Sequence, residues 1–121
     1  MESICNLKDI YKALYQFERE FHETHQITIN EAMVLCCMKD GEMRSAGAIC
    51  KFMGLSNSRL SKIITSVEEK NYISRNLNKE DKRQMLFLLT EEGTAKVQAM
   101  RKSDLNIQSL YSKLSEIIKM E

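Results

Sequence analysis

Lys79, Lys82 and Arg83 belong to a charged run, NKEDKR, that separates two segments of alternating apolar residues, ISRNL and QMLFLL. Cations held at the tip of a two-stranded ribbon suit a polyphosphate backbone or a minor groove, where each neutralised phosphate releases condensed counterions. A second group lies upstream: Asn57, Ser58, Arg59, Ser61, Lys62 and Thr65, with no acid before Glu68. Short hydroxyl and amide groups mixed with cations can read base edges, and an acid among them would be repelled by phosphates. The competing reading is a merely solvated surface, although such a surface usually mixes Glu with Lys four residues apart.

The charge distribution favours the first reading. From Arg44 to Arg83 nine basic residues face four acidic ones, a net +5, which leaves −4 on the rest of a chain whose net charge is +1. Polarised charge of this kind is the electrostatic footprint of a nucleic-acid partner. Ser45 and Arg75, inside the same segment, join the candidate contacts.

These residues need elements to position them. Leu7, Ile10, Tyr11, Leu14, Phe17 and Phe21 recur at steps of three and four, which predicts an amphipathic helix over about 6–25. Thr28 and Glu31 have the spacing of a capping box, so a second helix starts there and runs to about Lys39, before the turn pair Asp40-Gly41. A short helix follows, begun by Ser45 and ended by Gly54. Leu60, Ile63, Ile64 and Val67 then form one apolar stripe, leaving Asn57 to Ser66 as the polar face of the next helix. Two helices joined by GLS, the second polar outward, form a helix-turn-helix pattern. Alternation over Ile73–Leu77 and Met85–Leu89 predicts two strands, with the charged run as their turn. Ile107, Leu110, Tyr111, Leu114, Ile117 and Ile118 mark a last amphipathic helix.

Several function classes lose support. A chain of 121 residues is expected to be one domain, mainly α with a small β-hairpin, an α+β fold. It contains no apolar run near the roughly 20 residues that span a bilayer, so no membrane partner is expected. The first residues carry no secretory signal, which predicts a cytoplasmic location. The four cysteines, Cys5, Cys36, Cys37 and Cys50, lack paired spacing and are expected to be reduced, with Cys36 and Cys37 as small core filler. No glycine-rich phosphate loop and no H-E-x-x-H is present, so neither catalysis nor a cofactor is expected. His22 and His25 share a helix face, but such pairs are more often solvated helix ends than metal ligands.

From Thr28 to Val97 the capping box, AICKFMGLS, the polar helix ending VEEKNYISR, the tip EDKRQ and LTEEG resemble the MarR (multiple antibiotic resistance regulator) family. The wing carries most of the resemblance, through Asp81, Arg83, Phe87, Leu89, Thr90 and Gly93 in one register. The resemblance implies a winged helix-turn-helix lobe over 28–90, with dimerisation helices at 1–25 and 91–121. It implies a homodimer on double-stranded DNA, a pseudo-palindromic operator, with recognition helices in successive major grooves and wings in the flanking minor grooves. Asn57 to Ser66 becomes the recognition helix, Arg83 the wing-tip contact, and Asp81 a residue that orients the tip. Three departures stand out: Asn71 where Gly is usual, Cys50 where a small Ala is usual, and apolar Leu88. The shorter end implies that the second C-terminal helix is missing or fused to the one before it.

Leu7 and Ile10, with Ile107, Leu110, Tyr111, Leu114 and Ile117, are the expected dimer interface, since one small domain already fills its core centrally. The alternative is a last helix folded back on its own chain. The expected function is a dimeric transcriptional repressor released by a small aromatic effector, for which Tyr11, Tyr15, Phe17, Phe21 and Met33 are possible lining residues. The other readings are a protein-binding winged helix that uses Leu86 and Leu88 as an exposed contact, or a regulator that senses redox state through Cys5, or a metal.

Overall fold

The computed structural model describes residues 2–119, so the ends of the expected single domain, residue 1 and residues 120–121, lie outside it. The elements run α1 (Glu2–His25), α2 (Ile29–Cys37), β1 (Arg44–Ser45), α3 (Ala46–Met53) and α4 (Asn57–Glu69). They continue with β2 (Ile73–Leu77), β3 (Met85–Leu89), α5 (Glu91–Arg101) and α6 (Asp104–Lys119). The chain divides into two units, Asn30–Ala99 and the remainder, up to Ile29 and from Met100 onward.

Within the first unit, β1, β3 and β2 form an antiparallel sheet in that order. Ile73 faces Leu89, Arg75 faces Phe87 and Leu77 faces Met85, so the β2–β3 pair is the expected hairpin. The two-residue strand β1, with Arg44 opposite Phe87 and Ser45 opposite Leu86, is a third strand that the sequence did not suggest. It makes β3 the central strand. Leu86 and Leu88 are therefore half-buried in the sheet and not the exposed contact expected of them. Val34, Leu35, Met38, Ile49, Leu60, Ile64, Val67, Ile73, Phe87 and Val97 are buried and belong to this unit. The apolar stripe of α4 is thus its inward face, and its polar residues face out.

Three caps set the helix ends. The Ser45 hydroxyl accepts from the Ala48 N–H at 3.1 Å to begin α3, and Ser56 accepts from the Arg59 N–H at 3.3 Å to begin α4. Gly54 ends α3 at φ 70°, the left-handed conformation a side chain resists. Asn71 holds φ 65° just after α4, as an asparagine can.

A knot of short bonds follows. Thr90 Oγ1 donates to the Asn71 carbonyl at 2.7 Å and accepts from the Gly93 N–H at 3.0 Å, and the Thr90 N–H donates to the Tyr72 carbonyl at 3.0 Å. This is what the Leu-Thr-x-x-Gly pattern builds. It ties the start of α5 to the turn that leaves α4.

In the second unit α1 and α6 pack together, and Lys113 Nζ donates to Gln16 Oε1 at 3.3 Å. Four expectations need correction. α1 begins at Glu2 and not near Asn6, because Ile4 continues the stripe of Leu7 and Tyr11. α2 stops at Cys37, after which the Lys39 N–H bonds the Cys36 carbonyl in a tighter turn. α5 and α6 are separate helices, so the second C-terminal helix is neither missing nor fused. Cys36 is exposed and Cys37 half-buried, so the pair is not core filler; burial raises the Cys37 thiol above its ordinary range.

Candidate nucleic-acid interface

On α4, Asn57, Ser58, Arg59, Ser61, Lys62 and Thr65 are all exposed on one polar face. Their hydrogen bonds are oriented. Thr65 Oγ1 donates to the Ser61 carbonyl at 2.9 Å, which leaves its oxygen and methyl for a partner. Asn57 Oδ1 accepts from Cys50 Sγ at 3.0 Å, which leaves the Asn57 amide nitrogen as a double donor. Cys50, a departure from the resembled family, thereby fixes the first side chain of α4. Nothing in the sequence signals this bond, because its partners lie on different helices.

The hairpin tip is organised by local bonds. The Asn78 N–H donates to the Gln84 carbonyl at 3.0 Å, and Asn78 Nδ2 donates to Gln84 Oε1 at 2.7 Å. Asp81 Oδ1 accepts from the Arg83 N–H at 3.1 Å and from Arg83 Nε at 3.3 Å. The Arg83 side chain is 93% exposed. Lys79 and Lys82 are exposed beside it.

Other cations of the segment are engaged in the fold. Arg44 pairs with Asp40 at 2.5 Å, Lys70 with Glu31 at 2.8 Å and Arg75 with Glu68 at 2.7 Å. The Glu42 N–H and then the Arg44 guanidinium hold the Asp40 carboxyl below its ordinary range, so this pair persists above that range and is lost only in stronger acid. Hydrogen bonds to Asp40 and to Glu68 likewise raise Arg44 and Arg75. Arg75 also lies 5.3 Å from the centre of the Phe87 ring. Two of the expected DNA contacts therefore have roles inside the protein: Ser45 caps α3, and Arg75 braces α4 against β2. Lys51, Arg59, Lys62, Lys79 and Lys82 have no ion pair among the described residues. Arg44 pairs with Asp40 and Glu42, Lys70 with Glu31 and Arg75 with Glu68, while Glu80 and Asp81 stay on the wing beside Lys79, Lys82 and Arg83; the clearest excess of positive charge is on the α4 face, where Arg59 and Lys62 stand with no acid before Glu68.

The expected dimer stripe splits in two. Ile10, Ile107, Leu110, Leu114 and Ile117 are half-buried where α1 and α6 pack, so the last helix does fold back on its own chain in part. Ile4, Leu7, Tyr11 and Tyr15, spaced three, four and four apart on α1, are 45–65% exposed, as are Tyr111 and Ile118 on α6. A contiguous exposed apolar stripe of this kind is where a partner surface would pack. Phe17 and Leu110, with Gln16, Glu20 and Lys113, border a groove of about 240 Å³ between α1 and α6. Met33 is exposed in the other unit. His25 is buried with its ring 4.6 Å from Phe21, His22 is exposed, and no metal-binding group of three occurs among the described residues. No helix of the described residues is long and apolar enough to cross a membrane.

The family described as transcriptional regulator SarA/Rot matches residues 16–100. No curated protein matches the chain. Among solved structures, AbsC, a MarR family transcriptional regulator from Streptomyces coelicolor, superposes with a TM-score of 0.82 at 19% identity, covering 98% of this chain and 84% of that one. A mutant MarR from E. coli complexed with operator DNA gives 0.78 at 20% identity, covering 98% and 94%. BpsR from Bordetella bronchiseptica, whose DNA binding is regulated by 6-hydroxynicotinic acid, gives 0.70 at 19%, covering 91% and 90%. At these identities the likeness is one of fold, the winged helix-turn-helix.

Proposed function

The chain belongs to the SarA/Rot family of transcriptional regulators and has the MarR-type fold, and from that premise we propose that it is a dimeric, non-catalytic repressor of the cytoplasm. In this reading α4 enters the major groove of operator DNA and the β2–β3 wing contacts the adjoining minor groove. The observation that carries it is the wing tip, where Asp81 holds the Arg83 backbone and Nε while the rest of that guanidinium stands in solvent. A planar multi-donor head on a fixed turn suits phosphate and groove edges, and serves an apolar protein partner poorly. The operator complex of the E. coli protein supports the same assignment.

Titrating an operator duplex at several salt concentrations with the Arg83→Ala and Asp81→Ala proteins tests this. Arg83→Ala should weaken binding by about 1 to 3 kcal/mol, with the salt slope reduced by about one unit if it neutralises phosphate. Asp81→Ala should weaken binding as well, although removing an acid raises the net charge. Pure electrostatics predicts the opposite sign, so the direction separates an organised wing from a diffuse positive surface. Wild-type affinity in the Arg83→Ala protein would refute the wing assignment.

Release by a small aromatic effector is part of the proposal, with the Phe17 and Leu110 groove as its first place to look, and the regulation of BpsR by 6-hydroxynicotinic acid supports the class of ligand. Cys5 is exposed on α1 and is the thiol that a redox alternative would use. Peroxide is expected to leave operator affinity unchanged. A loss of binding that Cys5→Ser cures would favour the redox reading.

A further inference from the structure

Glu31 is a buried carboxylate in the first turn of α2, and its partners lie on and just after the outward-reading helix. Ser66 Oγ donates to Glu31 Oε2 at 2.7 Å, and Lys70 Nζ donates to both carboxylate oxygens at 2.8 Å. Its side chain is 4% exposed, whereas that of Lys70 is 35% exposed. From this we infer that Glu31 is a positioning residue for sequence recognition: it fixes the rotation and height of α4, and with them the aim of Arg59, Lys62 and Thr65. The inference rests on the DNA-binding reading above.

Stability alone accounts poorly for such a group. Taking a carboxylate and an ammonium out of water costs about as much as their attraction returns, and an apolar replacement of similar size is often as stable. What the carboxylate adds is direction. Leu60, Ile64 and Val67 seat α4 through non-directional contact, which tolerates a small slide or roll. Three hydrogen bonds of 2.7–2.8 Å, one from Ser66 on the last turn of α4 and two from Lys70 at its C-cap, are directional and oppose both. Base-edge contacts demand that precision, since a functional side chain must be held within about 0.5 Å of its working position. Phosphate contacts by flexible lysines do not.

The inference therefore separates specific from non-specific binding. Glu31→Gln removes the charge that holds Lys70 and keeps the size of the side chain; Ser66→Ala removes a single hydroxyl and is the milder variant if the first folds poorly. Neither removes a cation. Binding is measured on an operator duplex and on a scrambled duplex at one salt concentration, at a temperature where circular dichroism shows each protein folded. The operator preference should fall about tenfold in Glu31→Gln through weaker operator binding, the order of one lost base-edge contact, with scrambled-duplex affinity unchanged or slightly raised by the lost charge and unchanged in Ser66→Ala. Lys70→Arg, which keeps the ion pair, should retain the wild-type preference. A purely structural carboxylate would lower the unfolding midpoint and leave the preference of the folded protein intact, and that result in both Glu31→Gln and Ser66→Ala overturns the inference alone. Tighter operator binding by Glu31→Gln, as removal of a negative charge by itself predicts, overturns it too. A wild-type protein without operator preference overturns the DNA-binding reading and this inference together.

Discussion

Gly93→Ala is expected to destabilise the protein by about 4 kcal/mol, beyond the usual range for adding one methyl group to a packed site. A Cβ at this position would lie 2.0 Å from the Tyr72 carbonyl oxygen, 3.0 Å from its carbon and 3.2 Å from a Leu89 methyl. The first two are backbone atoms. They cannot swing aside as a side chain would, because the same carbonyl accepts the Thr90 N–H and Asn71 holds the preceding turn at φ 65°. Relief requires α5 to move away from the turn after α4, which breaks the Thr90 bonds to Asn71 and Gly93. Urea unfolding followed by circular dichroism should show a lower midpoint with an unchanged slope. A shift worth less than about 1 kcal/mol would mean that this approach of helix to turn is looser than the geometry requires.

Leu7→Asp combined with Tyr111→Asp is expected to convert a dimer into a monomer and reduce operator affinity at least about a hundredfold, because one half-site offers too few contacts. Both side chains are exposed, 45% and 59%, so the charges do not enter the packing of α1 on α6. Leu110 and Leu114 would be poorer choices, since they are half-buried and Leu110 borders the groove beside α1. Sedimentation at micromolar concentration reads the assembly directly. A wild-type monomer there, or a doubly substituted protein that remains dimeric, would remove the proposed interface.

Local patterns made much of this fold legible. The helix α4 declared itself through Leu60, Ile64 and Val67 at helical spacing, and the β2–β3 hairpin through alternation on both sides of a charged run. Ser45 and Gly54 marked α3 at both ends because caps are local chemistry. What stayed hidden depends on residues far apart in the chain. The strand Arg44–Ser45 is too short to show a period and exists only because β3 offers it an edge. Glu31 read as the second half of a capping box, and nothing in the sequence shows that Lys70, thirty-nine positions on, would meet its carboxylate. Arg75 read as one more cation for DNA, and nothing in the sequence shows that its guanidinium also pairs with Glu68. The apolar stripe of the terminal helices was visible as a period, but not its division between a face packed within the chain and a face left open.

Hydroxyl-radical footprinting of the DNA upstream of the protein's own coding region tests the central claim most directly. The wild-type protein should protect two segments related by a two-fold axis, with centres about one helical turn apart, flanked by minor-groove protections. Arg83→Ala should erase the flanking protections and leave the central ones. A uniform or absent footprint at concentrations that leave a scrambled duplex free, or flanking protection that survives Arg83→Ala, would contradict the account.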